Sequence, residues 1–300
     1  MAVWYNGLLH ERPRSVTIEV GGRGTRKIGW FDELKLRTAS AVLLAACALG
    51  ALFAGVEAFG ALVALVALVM CWEWGHIVRR GGGRDVSFVV HALAVLLAIL
   101  AVIVANLDWS LGVLAAGAVT LLVLNFQSGP GVSVLGVIYV GVPAVALVWL
   151  RGAEPFGLTA VLFIFSVVWA SDIGAFAGGR LIGGVKLYPS ISPNKTWAGL
   201  ISGVIAASCV AVVFWGVVAE VPFGYLVGCA AVLSVAAQLG DLAESALKRL
   251  FRVKDASDLI PGHGGFMDRL DGVVTAATLG VAIGLAINGA APARALLFGA

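Results

Sequence analysis

The chain has 300 residues, of which 60% are apolar and only 12% charged, with a formal net charge of +3. Soluble domains carry roughly 45–50% apolar and about 25% charged residues, so a water-soluble globule of this size could not cover its surface with this composition. Cys47, Cys71, Cys209 and Cys229 all sit in apolar runs and form no C-x-x-C pair; this excludes a disulfide scaffold, a zinc ribbon and a thioredoxin-like site, and the lack of polar tracts excludes disorder. An all-α polytopic membrane protein remains.

In chain order, residues 1–38 read as a basic cytoplasmic arm. Its stretch Gly21 to Lys27 lacks the glycine pattern and the strand-turn-helix setting of a phosphate loop; contact with anionic head groups fits it better. Trp30, Phe31, Leu34 and Leu36 have the spacing of a short amphipathic interfacial helix. Nine runs then approach the length of about 20 apolar residues that a helix needs to cross a bilayer: 39–56, 58–78, 86–105, 109–126, 132–150, 157–177, 197–219, 222–240 and 270–288. The first starts too late for a cleaved signal peptide. No internal repeat is evident, and Gly174, Gly178 and Gly179 are expected to allow close helix packing.

With nine spans, eighteen of the twenty Lys and Arg residues fall on one side, leaving only Arg151 and Arg294 on the other. The positive-inside rule makes the richer side cytoplasmic. The N-terminus is then cytoplasmic and the C-terminus periplasmic. The transmembrane catalytic domain is expected at 39–300, with active-site loops at 178–196 and 241–271.

Those two loops hold nearly all the unusual residues. Asp172 lies about six residues from the expected cytoplasmic end of the sixth span, roughly 9 Å deep at 1.5 Å per residue. A carboxylate there is costly unless paired or metal-bound; Arg180 is the ordinary partner, a cation the functional one. Ser192 and Pro193 read as N-cap and first residue of a helix. With Asn194, Lys195 and Thr196 in the next turn, that start is either a phosphate cradle or an ordinary capped helix with a snorkelling lysine.

In the second loop Asp268 and Asp271 are three residues apart and share a helix face. Two such charges repel unless a cation separates them, and an oxygen-only set suits Mg²⁺. The pair itself should then contribute little to stability. Asp241 is a further oxygen source, and the turn of Gly262, His263, Gly264 and Gly265 is suited to point N–H groups at an anion. Lys248, Arg249 and Lys254 add positive charge. A metal, carboxylates, an anion nest and lysines together describe phosphoryl or nucleotidyl transfer. A merely solvated loop would not explain paired aspartates at the start of a membrane helix.

Residues 245–271 follow the pattern S-x-L-K-R-x4-K-D-x-S-x2-I-P-x-H-G-G-F-x-D-R-L-D. This resembles the signature of the phosphatidate cytidylyltransferase (CDP-diacylglycerol synthase) family. Two further stretches resemble motifs of the same family: Ser171, Asp172, Ala175, Phe176, Gly179 and Arg180, and Ser192 to Thr196. Phe176 stands where the family often has tyrosine, so no hydroxyl role rests on it. The resemblance covers roughly residues 35–290 and leaves 1–34 without a counterpart.

The resemblance implies that CTP and phosphatidate give CDP-diacylglycerol and pyrophosphate at the bacterial inner membrane. It also implies Mg²⁺ dependence, with a second cation as an option, and a homodimer. The partners expected are CTP, phosphatidate within the bilayer, membrane lipids and a second copy of the chain, with no nucleic acid. Asp268 and Asp271 are expected to hold the metal, with Asp241 as a third ligand, and Asp172 either to hold a second cation or to order the lysines. Lys195, Lys248 and Arg249 would neutralise phosphates. Ser192, Asn194, Thr196, Lys254, Gly264, Gly265 and Arg269 are expected to line the substrate site. The phosphatidate oxygen is already ionised, so His263 is expected in turn structure or a phosphate hydrogen bond rather than as a base.

A CTP-dependent lipid-alcohol kinase is the enzyme alternative, and it would release CDP. The CDP-alcohol phosphotransferases are disfavoured because their D-G-x2-A-R…G-x3-D-x3-D pattern does not occur. A transporter would spread charges at midplane depth. Here Glu73 and Asp172 are the main acids within spans, and the others gather at one cytoplasmic mouth.

Overall fold

A computed structural model describes residues 17–19, 25–27, 30–78, 86–125, 130–218, 220–260 and 264–300, with side chains from residue 38 onward except that of Pro130. An antiparallel hairpin, β1 (Thr17–Glu19) and β2 (Thr25–Lys27), lies in the arm. Then come α1 (Trp30–Ala54), α2 (Val56–Val78), α3 (Val86–Val104), α4 (Leu107–Leu124), α5 (Pro130–Gly152) and α6 (Gly157–Leu181). A second hairpin, β3 (Lys186–Tyr188) and β4 (Ser192–Thr196), precedes α7 (Trp197–Val217), α8 (Phe223–Leu250), α9 (Met267–Asn288) and the short α10 (Pro292–Phe298).

Eight of these, α2 to α9, are long and apolar enough to cross a membrane. The chain is therefore a multi-pass membrane protein. The first expected span, 39–56, falls on α1, a continuous helix of 25 residues of which Thr38–Ala54 is the described apolar part. At 1.5 Å per residue the whole of α1 is about 37 Å long, against an about 30 Å hydrocarbon core. The helix runs unbroken from Trp30; the side chains of the expected interfacial stripe lie outside the described residues.

Three boundaries differ from the sequence expectation. The sixth span continues to Leu181, so Asp172 sits nine residues from its end, about 13 Å at helical rise. The eighth continues to Leu250 and carries Asp241 to Arg249 on helix rather than loop. Leu242, Ala243, Glu244, Ala246 and Leu247 are strong helix formers, and Glu244 and Lys248 pair one turn apart. The connection between α8 and α9 is thus 251–266 alone.

The third correction is at Ser192. It does not cap a helix but opens β4, paired with Tyr188. A residue before proline is pushed away from helical backbone, and Ser192 stands directly before Pro193. The cap is Thr196, extended at φ −126°, whose Oγ1 accepts the Gly199 N–H at 3.0 Å.

The core has two lobes that share α5. One packs Phe163, Ile164, Leu226, Leu233 and Leu296 with Leu150; the other packs Met70, Trp74, Val95, Leu114 and Leu121 with Val137 and Val145. In lipid, helices associate through close packing and interhelical hydrogen bonds rather than a hydrophobic drive. The α6–α7 seam shows this: a Cβ on Gly174 would lie 2.6 Å from the Ala206 Cβ, and one on Gly178 2.0 Å from the Ser202 Oγ. The expected packing role of these glycines holds. At the bundle end away from the site, buried Arg151 donates from Nε to the Leu52 carbonyl (2.9 Å) and from Nη1 to Glu154 (3.0 Å). The C-terminal ends of α1 and α5 therefore meet there.

Candidate active site

The chemistry-bearing residues converge where α6 and α8 end, α7 and α9 begin, and the 251–266 connection crosses between them. They divide into a closed cluster and an open one.

Asp268 belongs to the closed cluster. Its side chain is 7% exposed. One oxygen accepts Ala256 N–H (2.9 Å) and Gly265 N–H (2.8 Å), and the other faces the ammonium of Lys248. Lys248 is equally enclosed and also lies 3.0 Å from Oε1 of the fully buried Glu244. The Tyr139 hydroxyl donates to Oε2 of Glu244 at 3.3 Å. Glu73, buried in α2, accepts Phe266 N–H (2.9 Å) and Met267 N–H (2.8 Å), and the Ser257 hydroxyl as well. Of the expected glycine turn, the described residues show one N–H on an anion, that of Gly265 on the protein's own Asp268; the Phe266 and Met267 amides that follow it go to Glu73. The expectation that the Asp268 charge contributes little to stability is therefore corrected: this carboxylate has three donors and ties α8, the connection and α9 together. Lys248 is correspondingly engaged by two carboxylates.

The open cluster holds Asp172, Lys195, Asp241 and Asp271. Lys195 Nζ lies 2.7 Å from an Asp241 oxygen and donates to the Gln238 carbonyl at 3.2 Å. Asp271 accepts the Gly272 N–H at 2.7 Å, and its electrostatic neighbours are the acids Asp241, Glu244 and Asp172. Asp172 is exposed, and its charged neighbours are Asp241, Lys195 and Arg269. Arg180, its ordinary expected partner, instead places its guanidinium 6.0 Å from the centroid of the Phe176 ring. The meeting of α8 and α9 depends on Gly240: a Cβ there would lie 2.3 Å from Thr275 Oγ1 and 2.6 Å from the Asp271 carbonyl.

Beneath this cluster a buried polar knot joins three helices. Gln238 Nε2 donates to Ser171 Oγ, Ser234 Oγ and the Leu200 carbonyl, each at 3.3 Å, and the two serine hydroxyls are 2.7 Å apart. It holds α6, α7 and α8 together beside Asp172, the residue after Ser171, with Gln238 three residues before Asp241.

Of the other expected site residues, Arg249, Lys254, Asn194 and Arg269 are exposed at this mouth, Ser192 is half-buried in β4, and Thr196 is the buried helix cap. Gly264, at φ +82°, bridges back to Ile260, and Gly265 is spent on Asp268. Gly262 and His263 lie outside the described residues. Glu73, Tyr139, Glu244, Gln238 and Ser257 were not expected at the site. Glu73 alone had a signal, as an acid inside a span. Among the described residues no group of three or more His, Cys, Asp or Glu is placed to hold a metal unaided.

Known proteins supply the remaining observation. A model of the cytidylyltransferase family matches residues 35–286. The chain is 39% identical over 250 residues to proteins named phosphatidate cytidylyltransferase from Brucella suis biovar 1 (strain 1330) and Brucella abortus (strain 2308), covering 83% of this chain and 92% of each relative. A Bacillus subtilis (strain 168) protein of the same name is 42% identical over 143 residues, 47% of this chain and 53% of that one. The chain belongs to the cytidylyltransferase family.

The match runs from within α1 almost to the end of α9. It therefore contains both clusters and leaves out most of the basic arm and α10. This cytidylyltransferase is an integral membrane nucleotidyltransferase, with its polar residues gathered at one mouth of the bundle.

Proposed function

We propose that the enzyme joins CTP and phosphatidate to form CDP-diacylglycerol and pyrophosphate, at the cytoplasmic face of the bacterial inner membrane. The observation that carries this reading is the open cluster of Asp172, Lys195, Asp241 and Asp271. It places acids and a cation at one mouth of a membrane bundle, where a water-soluble nucleotide and a bilayer lipid both reach.

The donor chemistry fits a divalent cation. Asp271 and Asp241 are neighbouring acids offering only hard oxygens, and Mg²⁺ characteristically takes one or two carboxylates plus phosphates and waters rather than a closed protein cage. Asp241 and Asp271 would hold it, with substrate phosphates and waters completing the set, and Asp172 would serve a second cation if two bind. Asp268 fits this role less well, because its oxygens already have three donors. When bound, the cation neutralises phosphate charge.

A phosphatidate phosphate oxygen attacks the α-phosphorus of CTP, the bond from that phosphorus to the β-phosphate bridging oxygen breaks, and pyrophosphate leaves. The nucleophile is already an anion, so no side chain needs to take a proton. Lys195 turns from Asp241 toward phosphate as charge builds there, and Arg269, Arg249 and Lys254 draw the anionic substrates to the mouth. Positioning and electrostatic stabilisation supply the rate.

The cytoplasmic N-terminus and periplasmic C-terminus belong to this proposal. They are supported by the basic residues at the site end and by Arg151 at the opposite one. A homodimer, implied by the same resemblance, belongs to it too and is read from the mass of the solubilised particle. The test is pyrophosphate release from CTP by purified protein. Release that needs both phosphatidate and Mg²⁺ supports the proposal; CDP release with a lipid alcohol would replace it with the kinase.

A further inference from the structure

Glu73 lies in α2, nearly two hundred residues from the groups it binds, and is fully buried. A bare carboxylate in such a place costs several kcal/mol unless hydrogen bonds satisfy it. Here the satisfaction comes from the start of α9. Phe266, the residue before that helix, offers no side-chain cap of its own, and the first N–H groups of a helix have no partner within it. Glu73 takes two of these amides, Phe266 N–H on Oε1 and Met267 N–H on Oε2, at the end of the dipole that favours an anion. It also takes the Ser257 hydroxyl from the connection.

The preceding amide, Gly265 N–H, goes to Asp268. Three successive amides are thus shared between two carboxylates, one from α9 itself and one from a distant helix. The fit is tight: a Cβ on Gly265 would lie 2.3 Å from Glu73 Oε1 and 2.9 Å from Ser257 Oγ. The neighbouring Trp74 ring packs 5.5 Å from Tyr139, whose hydroxyl binds Glu244 in α8. The end of α2 therefore sets the start of α9 directly and reaches α8 through α5. Asp271 stands one turn into α9, opposite Asp241 on α8.

We propose that Glu73 is a positioning residue for nucleotidyl transfer: as an interhelical cap it fixes the first turn of α9 so that Asp271 faces Asp241. Its hydrogen bonds go to Ser257, Phe266 and Met267 and not to the open cluster. The catalytic part of the inference rests on the cytidylyltransferase reading above; the structural part does not.

The test pairs hydrogen exchange with kinetics on the full-length detergent-solubilised enzyme. Glu73→Gln keeps the size but must turn an NH₂ group toward a backbone N–H. Amide exchange in peptides spanning 255–270 should rise roughly tenfold or more, with α3, α4 and α6 unchanged, since only a local opening is made easier. kcat should fall ~10–100-fold, the usual effect of losing a group that orients a ligand, while KM for CTP and phosphatidate stays within about twofold. Ser257→Ala removes one contact from the other side and should move both readouts the same way by less. It also serves if Glu73→Gln fails to insert.

Unchanged exchange at 255–270 in the variant that folds would overturn the inference. So would faster exchange with wild-type kcat, which would make Glu73 a purely structural cap. A wild-type protein that releases no pyrophosphate from CTP would instead sink the reading on which the kinetic arm rests, and would leave the exchange arm standing.

Discussion

Asp268 and Asp271 are three residues apart, yet Asn at each should do opposite things. Asp268 accepts two backbone amides at 2.9 and 2.8 Å and faces Lys248. Asp268→Asn keeps one oxygen for the amides but turns donors toward the ammonium. A hydrogen bond to a charged group contributes about 1.5–3 kcal/mol, and breaking a buried ion pair costs about 3–5 kcal/mol. Lys248 still has Glu244 at 3.0 Å, so a loss of about 2–3 kcal/mol is expected. Asp271 has one backbone donor and three acidic neighbours. Neutralising it relieves repulsion, so Asp271→Asn should hold or raise the apparent Tm in EDTA. The same variant should lose ~10²–10³ in kcat, the usual effect of removing one transition-state electrostatic contact, and regain part of it as Mg²⁺ is raised. Saturating Mg²⁺, at about 100 times Kd, should add about 2.7 kcal/mol of stability to the wild type and to Asp268→Asn, but not to Asp271→Asn. The assay is apparent Tm in detergent, with EDTA and with Mg²⁺, beside initial rates. The reasoning fails if Asp271→Asn lowers the EDTA Tm as much as Asp268→Asn does and still shows the Mg²⁺ shift. A fully stable but inactive Asp268→Asn would move Asp268 into the cation set.

Lys195→Ala breaks a partly exposed ion pair, so its stability cost should stay within about 1 kcal/mol, while KM for CTP rises and kcat/KM falls; Lys195→Arg should recover only part, because the guanidinium has a different shape. Full kcat/KM in Lys195→Ala would reduce this lysine to an anchor. Gly240→Ala forces α8 from α9 and should cost about 1–3 kcal/mol as an overpacked contact, with a matching loss of rate. Gly228→Ala, in the same helix but with nothing within 4 Å, should be neutral or stabilising, and equal effects at the two glycines would refute the packing argument. A reporter fused after Ala300 should work only if it is active in the periplasm; cytoplasmic activity there would sink the nine-span topology with its periplasmic C-terminus.

The spans were legible because apolar runs and the partition of Lys and Arg need no partner to be read. The limits of α8 and β4 were not. The charges of Asp241 to Arg249 look like a loop from composition, although the residues between them favour a helix that outlasts its apolar part. Ser192 before Pro193 imitates a cap, while the working cap is Thr196. The site was legible in membership more than in role. Spacing put Asp268 and Asp271 on one face, but spacing cannot show that Asp268 is filled by Ala256, Gly265 and Lys248. Glu73 stood out as an acid in a span, yet its partners lie across the whole chain. Gln238 gave no signal at all, since a lone glutamine becomes informative only when α6 and α7 are seen against it.

The central claim is that the α-phosphate of CTP, and not the γ-phosphate, is transferred to lipid. Purified enzyme given phosphatidate, Mg²⁺ and CTP labelled with ³²P at either position tests it in one extraction. The account predicts that α-label enters the organic phase as CDP-diacylglycerol while γ-label stays in water as pyrophosphate. Lipid carrying γ-label, or no lipid label from either position, would contradict it.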